Sequence, residues 1–379
     1  MTNATTSRLS QGDVRAIHGT ASALRETVER VIVGKTDVVR LALVALLCEG
    51  HILLEDVPGT GKTTLAKAIA RSLGCSFKRI QFTPDLMPSD ITGIHYFDQK
   101  TQNFAFREGP LIAQIVLADE INRATPRTQA ALLEAMEERQ LTVEGETTLL
   151  PRPFLVIATQ NPVELEGTFP LPEAQLDRFL LRLKLGYPEE DDEDEILARQ
   201  EHTNPLDAVQ PVVTAERLIE MASALQRLHV DPAIRRYAVR IVRETRNEAA
   251  FELGASPRAS LALFRSARAY AAVSGRDYVL PDDVKTMAPH VLPHRLILST
   301  QTRLHGREID DLIADVLGRV PVPIEGDPPA GSRASAASSP SSAASSRPTP
   351  AASSRPAPAA SSRSDASRSS DDESTWQRQ

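Results

Sequence analysis

Cysteine is nearly missing from this chain: Cys48 and Cys75 are the only two in 379 residues. Both lie inside apolar segments with no metal-ligand spacing around them, which speaks against a cysteine-built metal site. The pair reads as small buried hydrophobes of a reducing compartment. Aromatic residues are scarce as well, at 4 %. A core must then be built from Leu, Ile, Val and Ala, which favours an α/β or helical chain over an aromatic-rich β-sandwich. Basic residues are not in excess, and the net charge is −7. Proteins that live on nucleic acid usually carry a basic surplus, because neutralising phosphates supplies much of their affinity, so nucleic acid is not expected as the main partner. The start of the chain, Met1 to Gly12, lacks the apolar run of a signal peptide. The most apolar stretch, Leu41–Leu54, is interrupted by Glu49, Gly50 and His51 and is too short to span a bilayer. These absences predict a cytoplasmic protein without a transmembrane segment.

What is present has the balance of a globular protein, with 41 % apolar and 25 % charged residues. Helical spacing runs from about Ser10 to Arg30 and again from Asp37 to Glu49. Short apolar runs then read as buried strands at His51–Glu55, Phe77–Phe82, Gln114–Ala118, Phe154–Thr159 and Phe179–Leu185. Helical patterns lie between them, notably Lys62–Leu73 and Pro126–Arg139, and this alternation predicts a mainly parallel sheet in an α/β domain. His95–Arg107 and Leu141–Leu150 each have the look of a hairpin. Past Pro188 the strand signals stop, and Glu216–Leu228, Pro232–Glu244, Arg258–Ser274, Pro281–His290 and Ile309–Leu317 are helical. The acidic run Glu189–Glu195 reads as a solvated helix start, or else as a docking patch for a basic client. From about Asp327 the chain turns to Ser, Ala, Pro and Arg and cannot bury a core. The expected organisation is a flexible start (1–8), an α/β core (9–187), an all-α domain (188–326) and a disordered tail (327–379).

The chemistry concentrates in three stretches. Asp56-Val57-Pro58-Gly59-Thr60-Gly61-Lys62-Thr63-Thr64 follows a strand and opens a helix, the context of a phosphate-binding loop. Its glycines let backbone N–H groups close around phosphate oxygens, Lys62 reaches the β- and γ-phosphates, and the Thr63 hydroxyl ligates Mg²⁺. The usual pattern has Gly where Asp56 stands, so the Asp56 carboxylate must point away from the phosphates. The strand Ile115–Ala118 ends in Asp119 and Glu120, which places two carboxylates at the edge where open α/β sheets bind ligands. Asp119 would hold the magnesium ion through water, and Glu120 would polarise the attacking water. A third strand ends at Asn161, placed to orient that water or touch the γ-phosphate; the alternative is an Asn-Pro turn. Arg178 and Arg258 complete the set, because a neighbouring subunit's arginine can stabilise charge in phosphoryl transfer. The alternative for either is a structural ion pair, for Arg178 with Asp177 or Glu173.

With these residues placed, the chain resembles the MoxR family of AAA+ ATPases over about Val31 to Leu317. Two stretches carry the resemblance: Leu117 to Glu138, and Ala158-Thr159-Gln160-Asn161-Pro162 with Glu166 to Phe179. It implies a five-stranded AAA+ core with a helical lid, assembling into a homo-oligomeric ring of six with ATP at the subunit interfaces. By the resemblance, Asp56 to Thr64 correspond to Walker A, Asp119 and Glu120 to Walker B, and Asn161 to sensor 1. Arg178 matches the arginine-finger position, Arg258 the sensor 2 position, and Val33-Gly34 the segment lining the adenine pocket. The hairpins correspond to inserts that approach a pore or client. The implied function is chaperone-like activation of client proteins, among them partners with a von Willebrand factor A domain. A nucleic-acid motor and a chelatase-like metal-insertion subunit remain as alternatives.

Overall fold

The first helix, α1 (Gln11–Glu29), starts at a capping box. The Ser10 hydroxyl accepts from the Asp13 N–H (3.1 Å), while the Asp13 carboxylate accepts from the Ser10 N–H (3.3 Å). This computed structural model describes residues 9–161, 167–201 and 203–323. The expected flexible start and the expected Ser/Ala/Pro/Arg tail lie outside the described residues.

After α1 come α2 (Thr36–Leu47), β1 (Ile52–Glu55), α3 (Lys62–Ser72) and β2 (Phe77–Gln81). A short α4 (Pro88–Thr92) leads into a hairpin of β3 (Gly93–Asp98) and β4 (Asn103–Glu108). Then follow β5 (Ile115–Asp119), α5 (Pro126–Glu138), the hairpin β6 (Gln140–Val143) with β7 (Glu146–Leu149), and β8 (Leu155–Gln160). A short α6 (Glu173–Leu176) precedes β9 (Leu181–Leu183). Strands β2, β5, β8, β1 and β9 form one sheet in that order, and every pairing is parallel. Both expected hairpins are present, outside this sheet.

Successive side chains of a strand point to opposite faces, and the apolar runs fill both. Leu53, Val116, Ala118, Val156 and Ala158 pack with α5 through Leu132, Leu133 and Met136. Ile52, Leu54, Ile115, Leu117 and Ile157 pack with α1, α2 and α3. Helical spacing predicts an apolar stripe of Ala130, Ala131, Leu133 and Met136 on α5, and the observed stripe is rotated from it. Leu132, Leu133, Ala135 and Met136 are buried, but Ala130 is exposed and Ala131 is half-buried. Thr125, a residue type that predicts a helix cap, stands at the helix start and Pro126 is its first residue. The Thr125 side chain caps no backbone N–H, however, and lies 3.4 Å from the Thr128 hydroxyl.

The remaining chain is helical: α7 (Glu190–Gln200), α8 (Ala215–Leu225), α9 (Pro232–Asn247), α10 (Pro257–Val273), α11 (Pro281–Val291), α12 (Thr300–Leu304) and α13 (Ile309–Arg319). One small ribbon joins these helices, β10 (Phe251–Leu253) against β11 (Ile297–Leu298), which the sequence reading left out. Tyr237, Ile241, Leu263, Met287 and Ile313 are buried in the same apolar cluster as Ile52 and Leu54. The helical lid is therefore packed onto one face of the sheet through α1 and α2. Among the described residues, no helix is long and apolar enough to cross a membrane.

Candidate active site

The loop after β1 turns on two glycines at positive φ, Gly59 (+88°) and Gly61 (+87°), with open space where a Cβ would stand. An L-residue there would be strained, so glycine is required by the backbone. Asp56 does not share that conformation, which is why the missing first glycine does no harm. Its N–H donates to Gln160 O (3.2 Å) and continues the pairing of β1 with β8. The Asp56 carboxylate accepts from the Val57 N–H (2.8 Å) and from the Gly186 N–H (2.6 Å). It is thus turned into the bend after β9 and takes only the first amide of the loop, that of Val57. Lys62, the first residue of α3, donates through Nζ to Asp56 O (3.1 Å) and Val57 O (2.6 Å), which holds the ammonium over the loop.

The acidic pair sits where β5 ends. Asp119 is buried and takes a fork from Arg79 on Oδ2 (Nε 3.0 Å, Nη2 2.6 Å), with Oδ1 accepting from the Thr159 hydroxyl (2.6 Å). The Thr159 hydroxyl also accepts from the Glu120 N–H (2.8 Å), so one β8 side chain ties both acids to the neighbouring strand. Glu120 has φ +57°, a region few non-glycine residues occupy and one that functional sites favour. Its Oε2 accepts from Gln81 Nε2 (2.8 Å) and pairs with Arg123 Nε (3.2 Å). Asp56, Pro58, Lys62, Asp119, Glu120, Thr159, Gln160 and Asn161 line a single cleft. Asp56, Pro58 and Lys62 of the expected loop thus meet both acids and Asn161, while Val57, Gly59, Thr60, Gly61, Thr63 and Thr64 are not in its lining. Gln160 Oε1 is buried without a hydrogen-bond partner among the described residues.

Arg79, Gln81 and Thr159 were missed by the sequence reading. Arg79 and Gln81 lie opposite Leu117 and Asp119 in the β2–β5 register. Only the strand order reveals that, and no local pattern flags them.

Val33 is buried and Gly34 has φ +70°. A Cβ on Gly34 would meet the Asp192 carboxylate of α7 at 1.8 Å, so the acidic helix start closes over this bend. Lys35 Nζ donates to Tyr187 O (2.8 Å), which fastens the Val33-Gly34 bend beside the Gly186 turn that holds Asp56.

Neither arginine is in the cleft. Arg178 precedes β9, and Leu180 N–H donates to His51 O (2.8 Å) at the start of β1, whereas the phosphate loop follows the end of β1. Because β1 and β9 are parallel, Arg178 lies at the opposite edge of the sheet. Arg178 Nε pairs with Glu137 Oε2 of α5 (2.9 Å), neither Asp177 nor Glu173 being its partner. Arg258, in the first turn of α10, bonds Glu137 Oε1. Asp177 is engaged elsewhere, with buried Arg295 (Oδ1 to Nε, 2.6 Å) and with the Ser256 hydroxyl (2.8 Å). These residues border a second cleft of about 230 Å³, where five arginines outnumber three acids. Cys48 borders it too; Cys48 and Cys75 are free and half-buried, and burial raises their thiols to about 12 and about 11.

His51 anchors this edge. Its Nδ1 accepts from the Val156 N–H (3.0 Å) and its Nε2 lies 3.1 Å from Met136 O, the arrangement of a neutral imidazole. Burial lowers its pKa to about 4, with the Met136 bond opposing and the Arg139 charge assisting. Burial likewise lowers the pKa of His290 and His294. The unfolded imidazole takes a proton below about pH 6.5 while the folded one stays neutral to about pH 4, so stability falls as the solution is acidified through that window. We expect His51 to account for about 2 kcal/mol of loss between about pH 6.5 and about pH 5. Urea titrations should find this slope reduced in His51→Gln; an unchanged slope would contradict the assignment.

Residues 51–181 match the ATPase family associated with various cellular activities, and residues 243–316 match an AAA lid domain. Chaperone MoxR1 of Mycobacterium tuberculosis is 44 % identical over 298 residues, covering 76 % of this chain and 78 % of the relative. The chain belongs to the MoxR family of AAA+ ATPases. Protein YeaC of Bacillus subtilis is 50 % identical over 300 residues, covering 79 % of this chain and 94 % of YeaC. Protein MoxR of Paracoccus denitrificans is 34 % identical over 294 residues, covering 71 % and 86 %. The crystal structure of a candidate ATPase from Cytophaga hutchinsonii superimposes with a TM-score of 0.78 at 37 % identity, covering 83 % of this chain and 98 % of that one. Membership in this family implies nucleotide binding.

Proposed function

We propose that this chain hydrolyses ATP at a site completed by a second copy of itself, and that turnover remodels a client protein. One observation carries the reading: Arg178 and Arg258 gather at the sheet edge opposite the phosphate loop. A strand of four residues separates the two edges by about 13 Å, so neither arginine reaches the phosphates held by its own loop. A neighbour in a ring brings one edge against the other. Six copies closing such a ring is the stoichiometry the resemblance implies.

In this reading the loop amides and Lys62 bind the phosphates. Asp119, which lines the cleft, and Thr63, next to Lys62 on α3, offer only oxygen donors, the hard set that Mg²⁺ takes, and Gln160 Oε1, without a partner among the described residues, suits a polar ligand in that cleft. Asp119 and Thr63 would hold the ion, which would supply positive charge against the phosphate oxygens. Glu120 accepts a proton from the attacking water as its oxygen bonds the γ-phosphorus. The bond to the β–γ bridging oxygen breaks, and ADP and phosphate leave. Asn161 orients the water, and the neighbour's arginines meet the γ-phosphate. Gln81 and Arg123 hold the Glu120 carboxylate in place.

The two hairpins supply the client surface. Phe97, Phe104 and Leu149 are exposed there, Phe104 by 74 % and Leu149 by 76 %. Exposed apolar groups clustered in this way mark interaction sites. His95 Nδ1 lies 3.7 Å from Glu144 Oε2, a link between one hairpin and the other. A partner bearing a von Willebrand factor A domain is the client class the family resemblance suggests, in the cytoplasm. The Glu120→Gln protein with ATP should capture a client that it releases without ATP, and Phe104→Ala should weaken the capture. Equal capture with and without ATP would count against a motor, and a nucleic acid that stimulated turnover would redirect the reading to that partner.

A further inference from the structure

We propose that Glu137 is the positioning residue of the composite site: its single carboxylate holds Arg178 and Arg258 at one point, so that both guanidiniums meet the neighbour's triphosphate together. This rests on the reading that the two arginines act across the subunit boundary.

The carboxylate is bridging. Arg178 takes Oε2 through Nε and Arg258 takes Oε1 through Nη2. The two arginines come from different parts of the chain, one before β9 and the other at the start of α10. Side by side and unneutralised, they would repel. Glu137 removes that repulsion and uses only part of each fork. Arg178 meets Glu137 through Nε, which leaves its terminal nitrogens to turn toward phosphate oxygens.

Glu137 is also oddly placed for a structural residue. It lies in the last turn of α5, at the negative end of the helix dipole, where a carboxylate is disfavoured unless cations answer it. Two other arginines at this edge have acids of their own. Arg139 pairs with Glu49 (3.2 Å) and Arg295 with Asp177 (2.6 Å), and neither acid is shared with Arg178 or Arg258. The backbones beneath the bridge are fixed independently. Asp177, next to Arg178, binds Ser256, the residue that caps α10 two positions before Arg258. The frame sets where the two chains run, and Glu137 sets where their side chains end.

The test separates this role from fold maintenance by asking which subunit feels the change. Glu137→Ala alone should turn over ATP about a hundredfold more slowly, the loss expected when catalytic groups shift by about 1 Å. Its affinity for a fluorescent ATP analogue should stay within about threefold, since the phosphate loop is at the other edge. Mixed with Lys62→Ala, which cannot load its own loop but keeps intact arginines, Glu137→Ala should regain activity. Arg178→Ala mixed with Lys62→Ala is the reference. Recovery in the reference without recovery for Glu137→Ala would place Glu137's action within its own subunit and overturn the proposal. No recovery in either mixture would instead overturn the interface reading. Should Glu137→Ala fail to fold, Glu137→Gln keeps the shape, loses the charge and passes through the same mixing. Wild-type turnover by either folded variant would also overturn the proposal.

Discussion

Replacing Glu120 by Gln should lower steady-state ATP turnover by about 10² to 10⁴ while leaving ATP bound, the span expected when a positioned general base is removed. The loss corresponds to about 3 to 5 kcal/mol of transition-state stabilisation. Binding should survive because the groups that wrap the phosphates, the loop amides and Lys62, do not touch Glu120. Geometry should survive as well. The Glu120 backbone is held by Thr159, and an amide oxygen can still accept from Arg123 or Gln81. What the amide cannot do is accept the proton of the attacking water. Phosphate release and equilibrium binding of a labelled nucleotide, measured on the same preparation, separate the two effects. Turnover at the wild-type rate would remove Glu120 from the proton-accepting role; lost binding would mean that it helps hold the nucleotide.

Arg178→Ala should cost about 10³ to 10⁵ in turnover, the range for a guanidinium supplied in trans to a phosphoryl-transfer site. Arg178→Lys should not restore it, because an ammonium cannot keep Glu137 on one side and reach phosphate with a planar fork on the other. Both variants should bind ATP normally in their own cleft, since Arg178 does not line it. A normal rate in Arg178→Ala would reduce its Glu137 contact to a structural ion pair.

How much of this was legible in the sequence depends on the distance over which each feature is encoded. The five strands could be read because a parallel sheet buried on both faces demands unbroken apolar runs, as in Ile115-Val116-Leu117-Ala118. The glycine turn after β1 and the acids at the end of β5 could be read because their geometry needs contiguous residues. Asp56 was expected to turn away from the phosphates, and its bond to Gly186 gives that turn a partner 130 residues along the chain that no pattern could supply. Arg79, Gln81 and Thr159 stayed hidden because they act across strands, and strand order is not written locally. Arg178 was given the nearest acids in sequence as possible partners. It found Glu137 instead, because the end of α5 and the start of β9 meet at one edge of the sheet. The ribbon of Phe251–Leu253 with Ile297–Leu298 was passed over because such short strands leave no periodicity to detect.

The direct measurement is turnover per chain as the protein is diluted. If the cleft of one copy needs the arginine edge of another, specific activity must fall steeply once the assembly dissociates, and light scattering on the same samples must show the fall coinciding with the loss of mass. A dilute monomer that hydrolyses ATP at the undiluted rate would contradict the account.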